Sequence, residues 1–163
     1  MALIYCAYNN ENILEDTMRN WINELRDQVK IINHNKVSSK LIAVCEALNT
    51  LDDSQFNIQH YKWKEGGTVT YCPLGWAAEQ IPSLGLKFLQ EEYEEGSYQI
   101  VDYEGNINID AVCNCLGISL FDYVDVFSEY SYRTGRSDIV PTKKRVMRRI
   151  FRLAMEYRVQ EDE

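Results

Sequence analysis

Gly66-Gly67-Thr68-Val69-Thr70-Tyr71-Cys72-Pro73-Leu74-Gly75-Trp76-Ala77-Ala78-Glu79-Gln80 is the stretch that decides the fold class, because its preferred backbone changes halfway along. Paired glycines permit a tight turn, and the β-branched and aromatic residues 68–71 suit a strand. Pro73 fits the first turn of a helix, and the helix 73–80 that it opens is stopped by Pro82. A strand that runs straight into a helix calls for an α+β arrangement.

Upstream, residues 3–8 read as a short strand. Ile13, Leu14, Met18, Trp21, Ile22, Leu25, Val29 and Ile32 recur at three- and four-residue intervals, which marks one face of a helix capped by Asn12. Asn33-His34-Asn35 breaks it, and Ser38 is a candidate cap for a second helix presenting Leu41, Val44, Cys45 and Leu48. Residues 1–51 thus read as a helical hairpin. Asp52-Asp53-Ser54 is a turn, and residues 56–59 alternate as an extended segment.

Downstream, a short helix is expected over 84–93, a strand over 98–103 and a turn at Glu104-Gly105-Asn106. Asp110 is positioned to cap a helix ending at Gly117, and Ser119 to cap another running from 120 to about 130. Residues 131–138 are polar and read as a loop. Pro141-Thr142 opens a last helix with Val146, Ile150, Leu153 and Tyr157 as its buried stripe. The expected fold is therefore a compact, mainly helical α+β domain, 1–163, with five to seven helices around a small two- or three-stranded sheet.

The chain has 163 residues, 45% of them apolar and 26% charged, enough apolar surface to offset chain entropy around one core. The opening residues 1–8 are apolar but lack a basic leader, and no run is long enough for a membrane span. Five cysteines, Cys6, Cys45, Cys72, Cys113 and Cys115, form an odd set without secretory context and read as reduced thiols. A cytoplasmic protein is the expectation. Net charge is −8, yet Lys143, Lys144, Arg145, Arg148, Arg149, Arg152 and Arg158 crowd the carboxy-terminal segment. The remainder is strongly acidic and repels nucleic acid phosphates.

Gly67-Thr68, Cys72 and Gly75-Trp76-Ala77 together resemble a signature of small, uncharacterised proteins of bacteria and their phages: Gly-Thr, then Cys, two residues, and Gly-Trp-Ala. Phe56, Ile58 and Trp63 are similar to an upstream element of those proteins. Leu116-Gly117-Ile118 with Leu120-Phe121, and then residues 146–153, fall where they place a Leu-Gly-Leu segment and a closing helix. The resemblance spans about 56–155, with three residues between Thr68 and Cys72 where the family usually has two. It implies a bacterial or phage accessory protein, in the host cytoplasm if phage-encoded, and transfers no catalytic residue.

Four chemistries bear on the residues themselves. Trp63, Tyr71, Cys72 and Trp76 surround the strand-to-helix junction; they read first as packing, and otherwise as the lining of a small-molecule or nucleotide pocket, or of a small hydrolase site. Cys72 with His60 is the one thiol–imidazole pair worth considering, but no protease or nucleophile-elbow signature surrounds it, so no catalytic residue is assigned. Cys113 and Cys115 lie two apart on a helix and point about 200° apart, which does not suit one metal ion. No Walker-type loop or dinucleotide fingerprint is present, so neither metal nor cofactor is expected.

Two charged faces remain. Glu91, Glu92, Glu94 and Glu95 form either a solvated helix face or an acidic interaction face that imitates phosphates. Arg145, Arg148, Arg149 and Arg152 line one face of the last helix, and either pair with the protein's own acidic remainder or contact nucleic acid. The leading expectation is a non-catalytic protein that binds a macromolecular partner, a protein before a nucleic acid, and inhibits a host defence or nucleic-acid enzyme through its acidic surface. No membrane is expected as a partner.

Overall fold

The computed structural model describes residues 36–90, 94–132 and 141–162. The expected strand 3–8 and helix 13–32, and most of the loop 131–138, lie outside those residues. Among the described ones, five helices accompany a four-stranded antiparallel sheet, so the α+β class holds while the sheet is larger than expected. The helices are α1 (Val37–Thr50), α2 (Pro73–Gln80), α3 (Asn108–Leu116), α4 (Leu120–Phe127) and α5 (Lys143–Glu161). The strands are β1 (Lys62–Glu65), β2 (Thr68–Tyr71), β3 (Lys87–Gln90) and β4 (Ser97–Val101), in the order β2-β1-β4-β3. No described helix is long and apolar enough to cross a membrane.

The helical layer is centred on α1 and α5, which pack on one another. Leu41, Val44, Cys45 and Leu48 are buried as their spacing predicts, and Ile42, Ala43 and Ala47 are buried with them, so α1 sits between layers. From α5, Val146, Ile150 and Leu153 join Met147, Phe151, Ala154 and Met155 in the same cluster. Tyr157 is only half-buried, because its hydroxyl reaches out to donate to Asp122 Oδ2 at 2.5 Å. Truncating a residue such as Phe151 to alanine is worth about 3–5 kcal/mol.

Caps account for most helix ends. Thr142 Oγ1 accepts from the Arg145 N–H, Ser119 Oγ from the Asp122 N–H, and Gly117 closes α3 in the left-handed conformation. Ser38 does not act as the expected cap. It lies inside the first turn of α1, where its N–H and hydroxyl both donate to the Glu161 carboxylate and tie the start of α1 to the end of α5. Asp110 also falls within the first turn of its helix; α3 begins at Asn108, whose Oδ1 accepts from the Ile100 N–H and whose φ of 52° asparagine tolerates. The helix expected to run to about 130 stops at Phe127 and continues as a 3-10 turn, Glu129–Tyr132.

Two strands correct the sequence reading. Residues 85–90 of the helix expected over 84–93 are not helical: Gly85 has φ +85°, which ends the short 3-10 turn Pro82–Leu84, and Lys87–Gln90 then pairs with β4; residues 91–93 lie outside the described ones. Lys62–Glu65 supplies the other strand. Of the extended segment expected at 56–59, only Phe56 makes a bridge, to Tyr71.

Candidate functional site

Alternation along β1 and β2 creates two unlike surfaces from one hairpin. The strands are in register Lys62↔Tyr71, Trp63↔Thr70, Lys64↔Val69 and Glu65↔Thr68, and β4 adds Tyr98 beside Lys62. Gly66 and Gly67 both have positive φ, at 57° and 82°, as a two-residue hairpin turn between such strands requires. Residues 62, 64, 69 and 71 therefore share one face, and 63, 65, 68 and 70 the other.

The first face is closed. The Lys62 ammonium lies over the rings of Phe88, Tyr98 and Tyr71, at 4.8, 5.0 and 5.7 Å from their centroids, and 3.9 Å from Glu79. Tyr71 meets the edge of Trp76 at 5.1 Å, and the Trp76 indole N–H donates to Ala47 O and Thr50 Oγ1 at the end of α1. Cys72 caps α2 by accepting from the Gly75 N–H. Gly75 is indispensable there, since a Cβ at that position would lie 1.6 Å from the Tyr61 carbonyl oxygen. Tyr71, Cys72 and Trp76 thus pack together at the junction, while Trp63, of the four residues expected to surround one pocket, lies on the other face of the hairpin.

The second face is open. Asn57, His60, Trp63, Glu65, Thr68 and Thr70 line a recess of about 530 Å³. The His60 and Trp63 rings pack at 4.6 Å with a 32° tilt, and the Trp63 indole N–H donates to Glu65 Oε2 at 3.1 Å. Thr70 Oγ1 is covered and has no hydrogen-bond partner. Of these residues only Trp63 stood in the expected pocket set. The signal for the rest was the alternation of Lys62-Trp63-Lys64-Glu65 against Thr68-Val69-Thr70-Tyr71 across two glycines.

Cys72 and His60 touch through their backbones, the Cys72 N–H donating to His60 O at 2.9 Å, while their side chains part. Burial pushes the Cys72 thiol up to about 11, against the partial relief of its bond from Gly75, and the imidazole faces the recess. Cys113 and Cys115 are half-buried on α3, and no group of His, Cys, Asp and Glu able to hold a metal ion occurs among the described residues.

The charged faces are redistributed as well. Glu94 and Glu95 are exposed in the connection between β3 and β4, not on a helix, and Glu91 and Glu92 lie outside the described residues. The Arg149 guanidinium donates to Asp125 O, Ser131 O and Ser131 Oγ and lies 3.9 Å from the centre of the Tyr132 ring, with Arg145 over the same ring at 5.4 Å. Arg148 is half-buried and Arg152 exposed. Arg145 and Arg149 of the predicted basic face are therefore engaged by the protein itself, through backbone carbonyls, a hydroxyl and a ring.

A further surface was not anticipated. On α4, Leu120 is 60% exposed, Phe121 80% and Val124 43%, while Tyr123, Val126 and Phe127 are buried. The three exposed residues fall within about 100° of the helix circumference. Asp125 and Asp122 continue that arc toward α5, where burial and the charges of Asp122 and Asp125 raise the Glu156 carboxyl in spite of Arg152. An apolar stripe is thus rimmed on one side by carboxylates. No family model, curated protein or solved structure matches the chain.

Proposed function

We infer that this chain is a non-catalytic binding protein that docks an amphipathic, basic-flanked segment of a partner protein on the outer face of α4. The observation that carries this reading is the contiguous exposure of Leu120, Phe121 and Val124 beside Asp122, Asp125 and Glu156. A polar-rimmed apolar stripe on a helix is the form taken by interaction surfaces, where a few large side chains supply most of the affinity. The carboxylate rim favours cations alongside the partner's apolar residues and opposes nucleic acid phosphates. Cys72, the nucleophile that the sequence offers, supports the non-catalytic side of the reading, being sealed and held protonated.

The test uses two fluorescent helical peptides with leucines at three- and four-residue spacing, one flanked by lysines and one by glutamates. The lysine-flanked peptide is expected to bind with a Kd on the order of 10 μM and to weaken with added salt. Phe121→Asp should reduce its affinity at least about tenfold without lowering the melting temperature, since the side chain packs on little in the free protein. Equal binding of the glutamate-flanked peptide, or undiminished binding by Phe121→Asp, overturns the reading. So does sedimentation showing a homodimer that Phe121→Asp dissolves.

A further inference from the structure

We propose that the recess on the outer face of the β1–β2 hairpin binds a neutral polyhydroxylated ring, a saccharide or related polyol, with Trp63 as its stacking platform. At about 530 Å³ the recess falls within the range of about 300–1,000 Å³ typical of small-molecule sites.

Charge narrows the class of ligand. Strand alternation sends both Lys62 and Lys64 to the opposite face, where their ammonium groups lie over the Tyr98 ring. Glu65 is left as the carboxylate of the recess, and it disfavours nucleotides and phosphate esters. That carboxylate accepts from the Trp63 indole N–H through Oε2, and its second oxygen can accept from a ligand hydroxyl.

The remaining groups suit hydroxyls. Thr68, Thr70 and Asn57 each carry donor and acceptor capacity, as a sugar hydroxyl does. The Asn57 side-chain carbonyl accepts from the Gln59 N–H, a bond that leaves its amide donors unused. Trp63 is braced on one side by His60 and pinned at its nitrogen by Glu65, so little ring freedom remains to be lost when a pyranose lays its C–H face on the indole.

The experiment is a titration of the 15N-labelled chain with methyl glycosides of glucose, galactose and mannose and with cellobiose, using AMP and spermidine as charged comparisons. At least one neutral sugar should move the Trp63 indole N–H signal saturably, with a Kd on the order of 1 mM. Trp63→Ala, followed through the backbone amide signals of Asn57, Glu65, Thr68 and Thr70 in place of the lost indole signal, should weaken that binding at least about tenfold. Thr68→Val, which removes an exposed hydroxyl of the recess, should weaken it several-fold with little change in melting temperature. Phe121→Asp should leave it untouched, which separates this site from the α4 surface. The proposal falls if no sugar shifts the indole signal at concentrations of about 50 mM, if Trp63→Ala binds as well as the native chain, or if AMP or spermidine binds more tightly than every sugar.

Discussion

Thr70 and Tyr71 are bonded neighbours whose side chains end in opposite surroundings. Tyr71 is buried against Trp76 and beside the Lys62 ammonium, in a junction where even one added methyl collides with backbone. Thr70 lines an open recess and keeps a hydroxyl without a partner. Two-residue periodicity alone makes the difference, sending one residue to the layer of α2 and the next to solvent. Residues close in sequence, Trp63 and then 71–76, therefore serve two unlike surfaces. The closed one packs α2 onto the end of α1, and the open one carries the recess.

Gly75→Ala breaks this contrast most severely if it is correct. Its Cβ would have to displace the Tyr61 carbonyl, a backbone atom with no rotamer to yield, so a loss on the order of 3 kcal/mol or more is expected in urea unfolding. Gly67→Ala on the open side meets nothing within 4 Å and carries only the strain of its φ of +82°, on the order of 1 kcal/mol. Equal costs for the two variants would mean that the junction is not sealed.

Alkaline pH probes the same seal through its thiol. Burial raises Cys72 from an ordinary 9.0 to about 11 and Cys45 to about 12. The folded chain therefore keeps a proton that the unfolded chain gives up, so the stabilising contribution is complete below pH 9 and is lost as pH climbs through 11. Each such group steepens the decline by up to about 1.4 kcal/mol per pH unit within its window. Tyr61 and Tyr123, whose hydroxyls bond at 2.7 Å and are both raised chiefly by burial, act with the same sign. Urea midpoints measured across that range should fall, and fall less steeply in Cys72→Ala; a flat profile would show the thiol open to water.

How far the sequence reveals this arrangement depends on how local the deciding contacts are. The hairpin turn, β2, α2 between Pro73 and Gln80, the Gly117 stop and the Ser119 and Thr142 caps were legible, because each rests on the conformational preference of one or two residues. β1 was not legible, since a strand with two lysines on its inner face is sustained by rings from β2, β3 and β4. β3 was misread because Leu84, Phe88 and Leu89 imitate a helical face, and only the positive φ at Gly85 forbids it. The recess escaped notice for a related reason: Trp63 and Thr70 meet by strand register, seven positions apart. On α4, composition suggested a helix but not which of its apolar residues the core would leave uncovered.

The smallest expected effect is also the most direct comparison of the two faces, because it changes the same residue type on each. In Trp76→Phe the aromatic packing on Tyr71 is largely kept, but Ala47 O and Thr50 Oγ1 lose the indole N–H that joins α2 to α1. A partly covered acceptor left without its donor costs about 1 kcal/mol. In Trp63→Phe the bond lost is to the exposed Glu65 carboxylate, which water replaces, so stability should change by less than about 0.5 kcal/mol. Chemical unfolding of the two variants side by side reads the ratio without reference to any ligand. If Trp63→Phe proved the costlier, the indole would be holding the hairpin together, and the open face would be a second core instead of a surface kept free for binding.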